Sequence, residues 1–297
     1  MLKIPTDTIV PVLKHALGEY KYLSPNVCKI KNGYKMFYCN RKGKSSLFAL
    51  MYRYITGKQI LYGEINRATS TNLKKWKKES QPIISPKNYK NYVSFLSPFF
   101  YKSKKNKYFL FVEAQKAEGS DVLCFVSNNT KDWSLYPKFK LSNNKELFQT
   151  PFILEVNNKI YFYYGHNRRK IICLILNDNL EIIKSKMCLK ENFSNETYSV
   201  YSPSIIKIKN HYFMLYAAWT NTSVGNVNIA ISKDGFKWKK IQKNLFKITE
   251  PIKIVSEPFI VDKRNKIFIF FEYKEKDIWN IGYKCIYKKD LYKTRIC

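Results

Sequence analysis

Three glutamates occupy places where a folded chain seldom leaves a charge. Glu113 and Glu272 each follow directly on a run of large apolar residues, YFLFV (108–112) and IFIFF (267–271), and Glu257 directly precedes a proline that opens another apolar run. An acid in an apolar strand costs free energy unless it is partnered or protonated, so these positions are candidates for acid–base chemistry. Acid–base work by a pair of carboxyl groups needs one protonated and one ionised. Glu257, Glu113 and Glu272 are the catalytic candidates for that work. For Glu113 and Glu272 a strand-end salt bridge is the competing structural role.

Groups suited to holding a substrate lie nearby in the pattern. His166 sits in the stretch YGHNRR (164–169), where a glycine permits close backbone approach and Arg168 can grip a carboxylate or phosphate in bidentate fashion. Arg41 ends the corresponding run of the first repeat. Tyr38, Tyr201 and Trp219 offer aromatic faces for stacking on a ligand, although each would serve equally as core. His15 and His211 read as structural. The seven cysteines, Cys28, Cys39, Cys124, Cys173, Cys188, Cys285 and Cys297, form no CxxC pair, which suits reduced thiols and gives no reason to expect a zinc site or other cofactor.

The elements that must position these groups recur. Ser24-Pro25, Ser97-Pro98, Thr150-Pro151, Ser202-Pro203 and Glu257-Pro258 each lead into an apolar strand, and about ten residues later, past a polar turn, comes an aromatic strand. A third strand ends in serine with a tryptophan six residues on: Ser70 to Trp76, Ser127 to Trp133 and Ser232 to Trp238. Asn177 and Ile183 hold the same spacing in the third repeat. Five such units predict an all-β chain, a five-bladed β-propeller, as one domain over 1–297 with blades starting near 24, 97, 150, 202 and 257. Helical periodicity is confined to the vicinity of Val10 to Leu17. The residues before Leu23 are expected to close the ring, and the tryptophans to be buried at equivalent places. The first repeat carries about 20 extra residues between Arg41 and Glu64, an insertion placed to lid the funnel.

The blade spacing, the X-Pro starts and the SKDGFKW tag at 232–238 resemble the five-bladed propellers of glycoside hydrolase families 43, 32 and 68. Those families include arabinanases, xylosidases, invertases and fructosyltransferases. The resemblance implies a central funnel with an aspartate base or nucleophile before the first-blade proline, a second aspartate in a middle blade, and a glutamate acid. Here the residues before proline are Ser24, Ser97, Thr150, Ser202 and Glu257, so both aspartates are absent, as is the invertase pattern Asn-Asp-Pro-Asn-Gly. The carboxylates left for the funnel are Glu113, Glu257 and Glu272.

Charge bears on partners. With 53 Lys and Arg against 22 Asp and Glu the net charge is +31, enough to attract anionic ligands, although an AT-rich genome would also inflate lysine. From Lys21 to Gly63 there are nine cations and no acid, and from Ser80 to Val112 six lysines and no acid. The expectation is a carbohydrate-active protein that cleaves or transfers a glycosyl unit on a saccharide, anionic or neutral. The alternatives are a glycosyltransferase of capsule or lipopolysaccharide assembly, with peripheral attachment to an acidic membrane surface, and a noncatalytic glycan-binding propeller. Nucleic acid is supported by charge alone, since no recognised binding motif accompanies the lysines. No secretory signal or spanning segment is evident, and a cytoplasmic location is expected.

Overall fold

Short β-branched and aromatic runs separated by polar turns can satisfy their backbone N–H and C=O groups by pairing with the next strand of a hairpin. A computed structural model describes residues 1–14, 20–42, 55, 62–276 and 278–294, and over these the repeats form a five-bladed β-propeller. After β1 (Ile4–Pro5) and β2 (Val10–Leu13), the first blade comprises β3 (Tyr20–Ile30), β4 (Gly33–Lys42), β5 (Tyr62–Ser70) and β6 (Lys77–Lys78). The second comprises β7 (Ser94–Lys102), β8 (Tyr108–Gln115), β9 (Ser120–Ser127) and β10 (Ser134–Leu141). In the third are β11 (Phe148–Val156), β12 (Lys159–His166), β13 (Lys170–Leu176) and β14 (Ile182–Lys190), and in the fourth β15 (Ser199–Ile208), β16 (His211–Asn221), β17 (Val224–Ser232) and β18 (Lys239–Gln242). Beyond β19 (Phe246–Lys247), the fifth blade runs β20 (Ile252–Lys263), β21 (Lys266–Glu275) and β22 (Ile278–Tyr287).

The outer strand of that last blade is β2, antiparallel to β22 with Val10 opposite Tyr283 and Leu13 opposite Ile281. The helical pattern expected from Val10 is thus corrected to a strand over Val10–Leu13, because the open edge of β22 offers backbone partners that outweigh local propensity. His15 and the end of that pattern lie outside the described residues. So do residues 43–54 and 56–61, nearly all of the expected lid. Upstream, β1 pairs in parallel with β19, Ile4 opposite Phe246.

Each inner strand carries the same irregularity. Its pre-proline residue, normally extended, has a left-handed φ: 56° at Ser24, 48° at Ser97, 47° at Thr150, 53° at Ser202 and 46° at Glu257. The strand register slips at each of these places, a bulge that re-aims the local side chains. Two residues on, the rings of Phe99, Phe152 and Phe259 meet, with centroids 4.9, 6.3 and 6.4 Å apart. Beside them Asn26 Oδ1 accepts the Phe100 N–H and Ser204 Oγ the Ile260 N–H. Only about 30 Å³ remains at the axis between the five X-Pro pairs, so the propeller is filled on its hairpin side and its funnel opens on the other.

The core lies between blades, where aromatic second strands face their neighbours. The serine tags fasten these layers. Ser70, Ser127 and Ser232 each accept two backbone N–H bonds from the following turn, and the next Asx side chain caps two more. The turn residue that follows is left-handed in each case, at Leu73, Thr130 and Gly235. Trp76 then packs edge-on against Phe270, Trp133 against Phe37 and Trp238 against Tyr163, each on the second strand of the preceding blade. The three tryptophans are equivalent but half-buried rather than fully covered. Ile183 is 65% exposed, so the third repeat keeps the turn and lacks the staple. A short helix α1 (Lys288–Lys293) follows β22, and no helix among the described residues is long and apolar enough to cross a membrane.

Candidate active site

Alternation along the pleat sets which strand-end residues face the axis. In the second strands, Glu113 and Glu272 share one aligned position, and Arg41, Gln115 and Trp219 lie two residues further along their own strands. All of these line one cavity of about 310 Å³ at the funnel mouth. Glu257, re-aimed by its bulge, joins them there, as do Arg168 and Tyr201. At the position equivalent to Glu113 the third blade has Gly165, where a Cβ would come within 2.8 Å of Tyr201 Cβ. Glycine therefore lets the fourth inner strand close against the third blade.

The serine that replaces an expected aspartate ties the acids together. Ser24 donates its N–H to Glu272 Oε2 at 3.2 Å, and its hydroxyl is hydrogen-bonded to Glu257 and lies 3.4 Å from Ser97 Oγ. Ser97 Oγ in turn donates to Glu113 Oε2 at 3.3 Å, and the Gln115 amide donates to Glu113 Oε1 at 3.4 Å. Cations stand behind this chain. Arg168 acts on Glu113, and Arg41 on Glu257 and Glu272. Arg168 is held by a turn whose Asn167 and Arg168 are both left-handed; its carbonyl accepts the Val200 N–H at 2.7 Å and its guanidinium donates to the Tyr198 hydroxyl at 2.7 Å.

The three carboxyls differ in proton affinity for physical reasons. Burial, with Glu113 nearby, pushes Glu257 up to about 8 against the opposing Ser24 hydroxyl and Arg41. Glu272 is raised well above the usual carboxylate range, by burial first and Glu257 second. Burial also raises Glu113, but the Gln115 amide, the Thr150 N–H, Arg168 and Ser97 all favour its ionised form. At neutral pH the cluster therefore holds protons on the Glu257 and Glu272 side, and Glu113 is the member best prepared to carry charge. Lys21, also on the wall, is lowered by burial and by repulsion from Arg41 and Lys274.

Two expected ligand groups lie elsewhere. His166 follows Gly165 and so points to the opposite face, where it packs edge-on against Phe148 and Tyr164 with Nε2 3.4 Å from Glu146 Oε2. Tyr38 likewise turns away from the axis, 1% exposed and edge-on to Tyr22 between the first and fifth blades. Both expectations are corrected by strand parity. His211 opens β16 against Tyr292, as a structural residue would.

Residues 26–181, more than half of the 297-residue chain, match the family described as glycosyl hydrolases family 32 N-terminal domain. The chain belongs to that family. The match takes in Glu113 and Arg168 and ends before Glu257 and Glu272. No match is found among curated proteins. Among solved structures, a β-1,2-mannobiose phosphorylase from Listeria innocua is similar with a TM-score of 0.74 and 10% identity, covering 98% of each chain. A thermostable family-43 glycoside hydrolase gives 0.71 and 15% over 93% of each chain. An endo-1,4-β-xylanase from Bacteroides thetaiotaomicron gives 0.66 and 19% over 90% of this chain and 92% of its own. At such identities the likeness is one of fold, a five-bladed propeller shared with glycoside hydrolases.

This family 32 domain places further residues in the funnel that its sequence did not single out. Trp279, at the start of β22, stacks on Trp219 with centroids 6.1 Å apart and planes at 23°. Trp219 Nε1 donates to Ser256 Oγ at 3.0 Å, and the Tyr201 hydroxyl lies 3.1 Å from the same oxygen. Gln149 and Tyr198 complete the wall. The signal for Gln149 was its place immediately before a pre-proline residue; Trp279 lies in a third strand that has neither a serine tag nor the Asn177 spacing of the third repeat.

Proposed function

We propose that the funnel cleaves or transfers a glycosyl unit of a saccharide, with Glu257 as proton donor and Glu113 as base. The supporting observation is one cavity holding a carboxyl group that keeps its proton to about pH 8 beside a carboxylate with four groups favouring its ionised form. Glu257 gives its proton to the departing glycosidic oxygen as the bond from the anomeric carbon breaks. Glu113 takes the proton of the incoming hydroxyl as that oxygen bonds to the same carbon. Glu272 holds Ser24 in place and remains protonated, which limits the charge among the three acids. The stacked Trp219 and Trp279 provide an aromatic face for a sugar ring, and Arg41, Arg168 and Lys21 suit a saccharide that carries an acidic group.

Hydrolysis and transfer differ here only in whether water or a sugar hydroxyl is the acceptor. The test is product formation from a panel of neutral and acidic oligosaccharides, with water, sugar acceptors or inorganic phosphate supplied, in the wild type, Glu257→Gln and Glu113→Gln. Turnover in the wild type that falls by roughly 10²–10⁴-fold in either variant supports the assignment. Binding without turnover in all three proteins would leave a noncatalytic glycan-binding propeller.

A further inference from the structure

A strongly basic groove lies away from the funnel. At the hairpin end of the fifth blade a groove of about 650 Å³ is lined by Lys74, Lys263, Arg264, Lys266 and Lys284, with no acidic residue in its wall. Lys263 and Lys266 flank the turn between β20 and β21 and pair with each other across it. From Lys266 to Glu272 is six residues along β21, roughly 20 Å of strand, so the groove and the funnel lie at opposite ends of the blade.

Construction, and not only net charge, marks the groove. Lys284 is 8% exposed, an ammonium set into the wall with its Nζ on Thr8 Oγ1. Among the described residues none of the five cations is ion-paired with a carboxylate; the nearest countercharges act at the edges, Asp7 on Lys284 and Asp262 on Lys288. The lysine stems are oriented by rings: Lys263 Nζ lies 6.0 Å from the Tyr34 centroid and 5.9 Å from that of Phe268, and Lys266 Nζ 5.0 Å from that of Tyr287. Lys266, Lys74 and Lys263, from two blades, all act on the one thiol of Cys285. Phe268 and Tyr283, with ring centroids 5.5 Å apart, form the floor.

We propose that this groove is a second binding site, for a phosphate-bearing ligand, independent of the reaction in the funnel. Lysines act on phosphate as point charges from several directions, and four of them with an arginine around a single concavity match a tetrahedral phosphate, which presents its oxygens in several directions, better than a planar carboxylate. Two sources present this chemistry, a phosphate in solution and the headgroup of an acidic lipid, and with the second the funnel faces away from the bilayer.

The experiment uses the whole chain at physiological salt, with inorganic pyrophosphate in a calorimetric titration and with phosphatidylcholine vesicles, with and without phosphatidylglycerol, in a sedimentation assay. It compares the wild type, Lys263→Glu/Lys266→Glu, and Lys105→Glu/Lys159→Glu, a control with the same change in net charge at exposed hairpin-end lysines of other blades. Lys263→Gln/Lys266→Gln replaces the first variant if reversed charges prevent folding. Iodoacetamide labelling of Cys285, which is exposed in the groove, reports occupancy directly. Pyrophosphate that protects Cys285 and binds about a hundredfold more weakly to the groove variant alone, two charge-assisted contacts at roughly tenfold each, supports a soluble ligand. Vesicle binding that needs phosphatidylglycerol and is lost only in the groove variant supports a lipid. Equal losses in the groove and control variants, or no binding of either probe, would overturn the proposal.

Discussion

Serine in place of aspartate before the first inner-strand proline decides how the funnel's charge is distributed. Ser24 gives its N–H to Glu272 and its hydroxyl to Glu257, so it stabilises two acids without adding a third charge beside them. Ser24→Asp retains a residue type that tolerates the left-handed backbone but places a fourth carboxylate in the cluster. It should lower both turnover and Tm, measured by the oligosaccharide assay and calorimetry. A pH–rate profile should be bell-shaped, with its alkaline limb near 8 from Glu257 and its acid limb, set by Glu113, above the ordinary carboxylate range. Stability follows from the same protons. The native state keeps the Glu257 proton to about 8 whereas the unfolded chain loses it near 4.5, so that contribution is complete below about 4.5 and is lost as the pH rises toward 8. The Tm of Glu257→Gln relative to wild type should therefore increase from pH 5, at the lower edge of this window, to pH 9, about one unit above it.

The blades show what could be read in advance and what could not. The X-Pro starts and the serine tags each depend on a local backbone requirement, a bulge or a capped left-handed turn, and such requirements leave residues at fixed offsets. The direction of a side chain at a strand end depends on parity counted from a bulge, and a slip of one residue reverses it. For that reason His166, grouped with Arg168 by adjacency, packs against Phe148, whereas Arg168 reaches the funnel through a left-handed turn. Trp279 escaped notice because the fifth blade has no tag to anchor its alignment. The tags are testable staples. Trp238→Ala should cost about 2–4 kcal/mol in chemical denaturation, toward the lower end of ring deletions because the ring is half-buried, and Ser232→Ala about 1 kcal/mol through its two backbone bonds.

At the scale of the whole molecule the ring is completed by residues far apart in sequence, since β2 supplies the outer strand of the blade that ends the chain. The described core is distributed over all five interfaces between blades, which favours one cooperative unit. Wild type should unfold in a single calorimetric transition, and deletion of residues 1–13 should lower Tm and expose the edge of β22 to association, read by light scattering. The funnel's role is tested most directly by turnover of saccharides that differ in leaving group, comparing wild type with Glu257→Gln. A protonated Glu257 that assists departure predicts a large loss for natural glycosides and a much smaller loss for nitrophenyl glycosides, whose leaving oxygen needs little protonation. Equal rates in the two proteins for the natural glycoside would contradict the assignment of Glu257 as the acid and of the funnel as the site of chemistry.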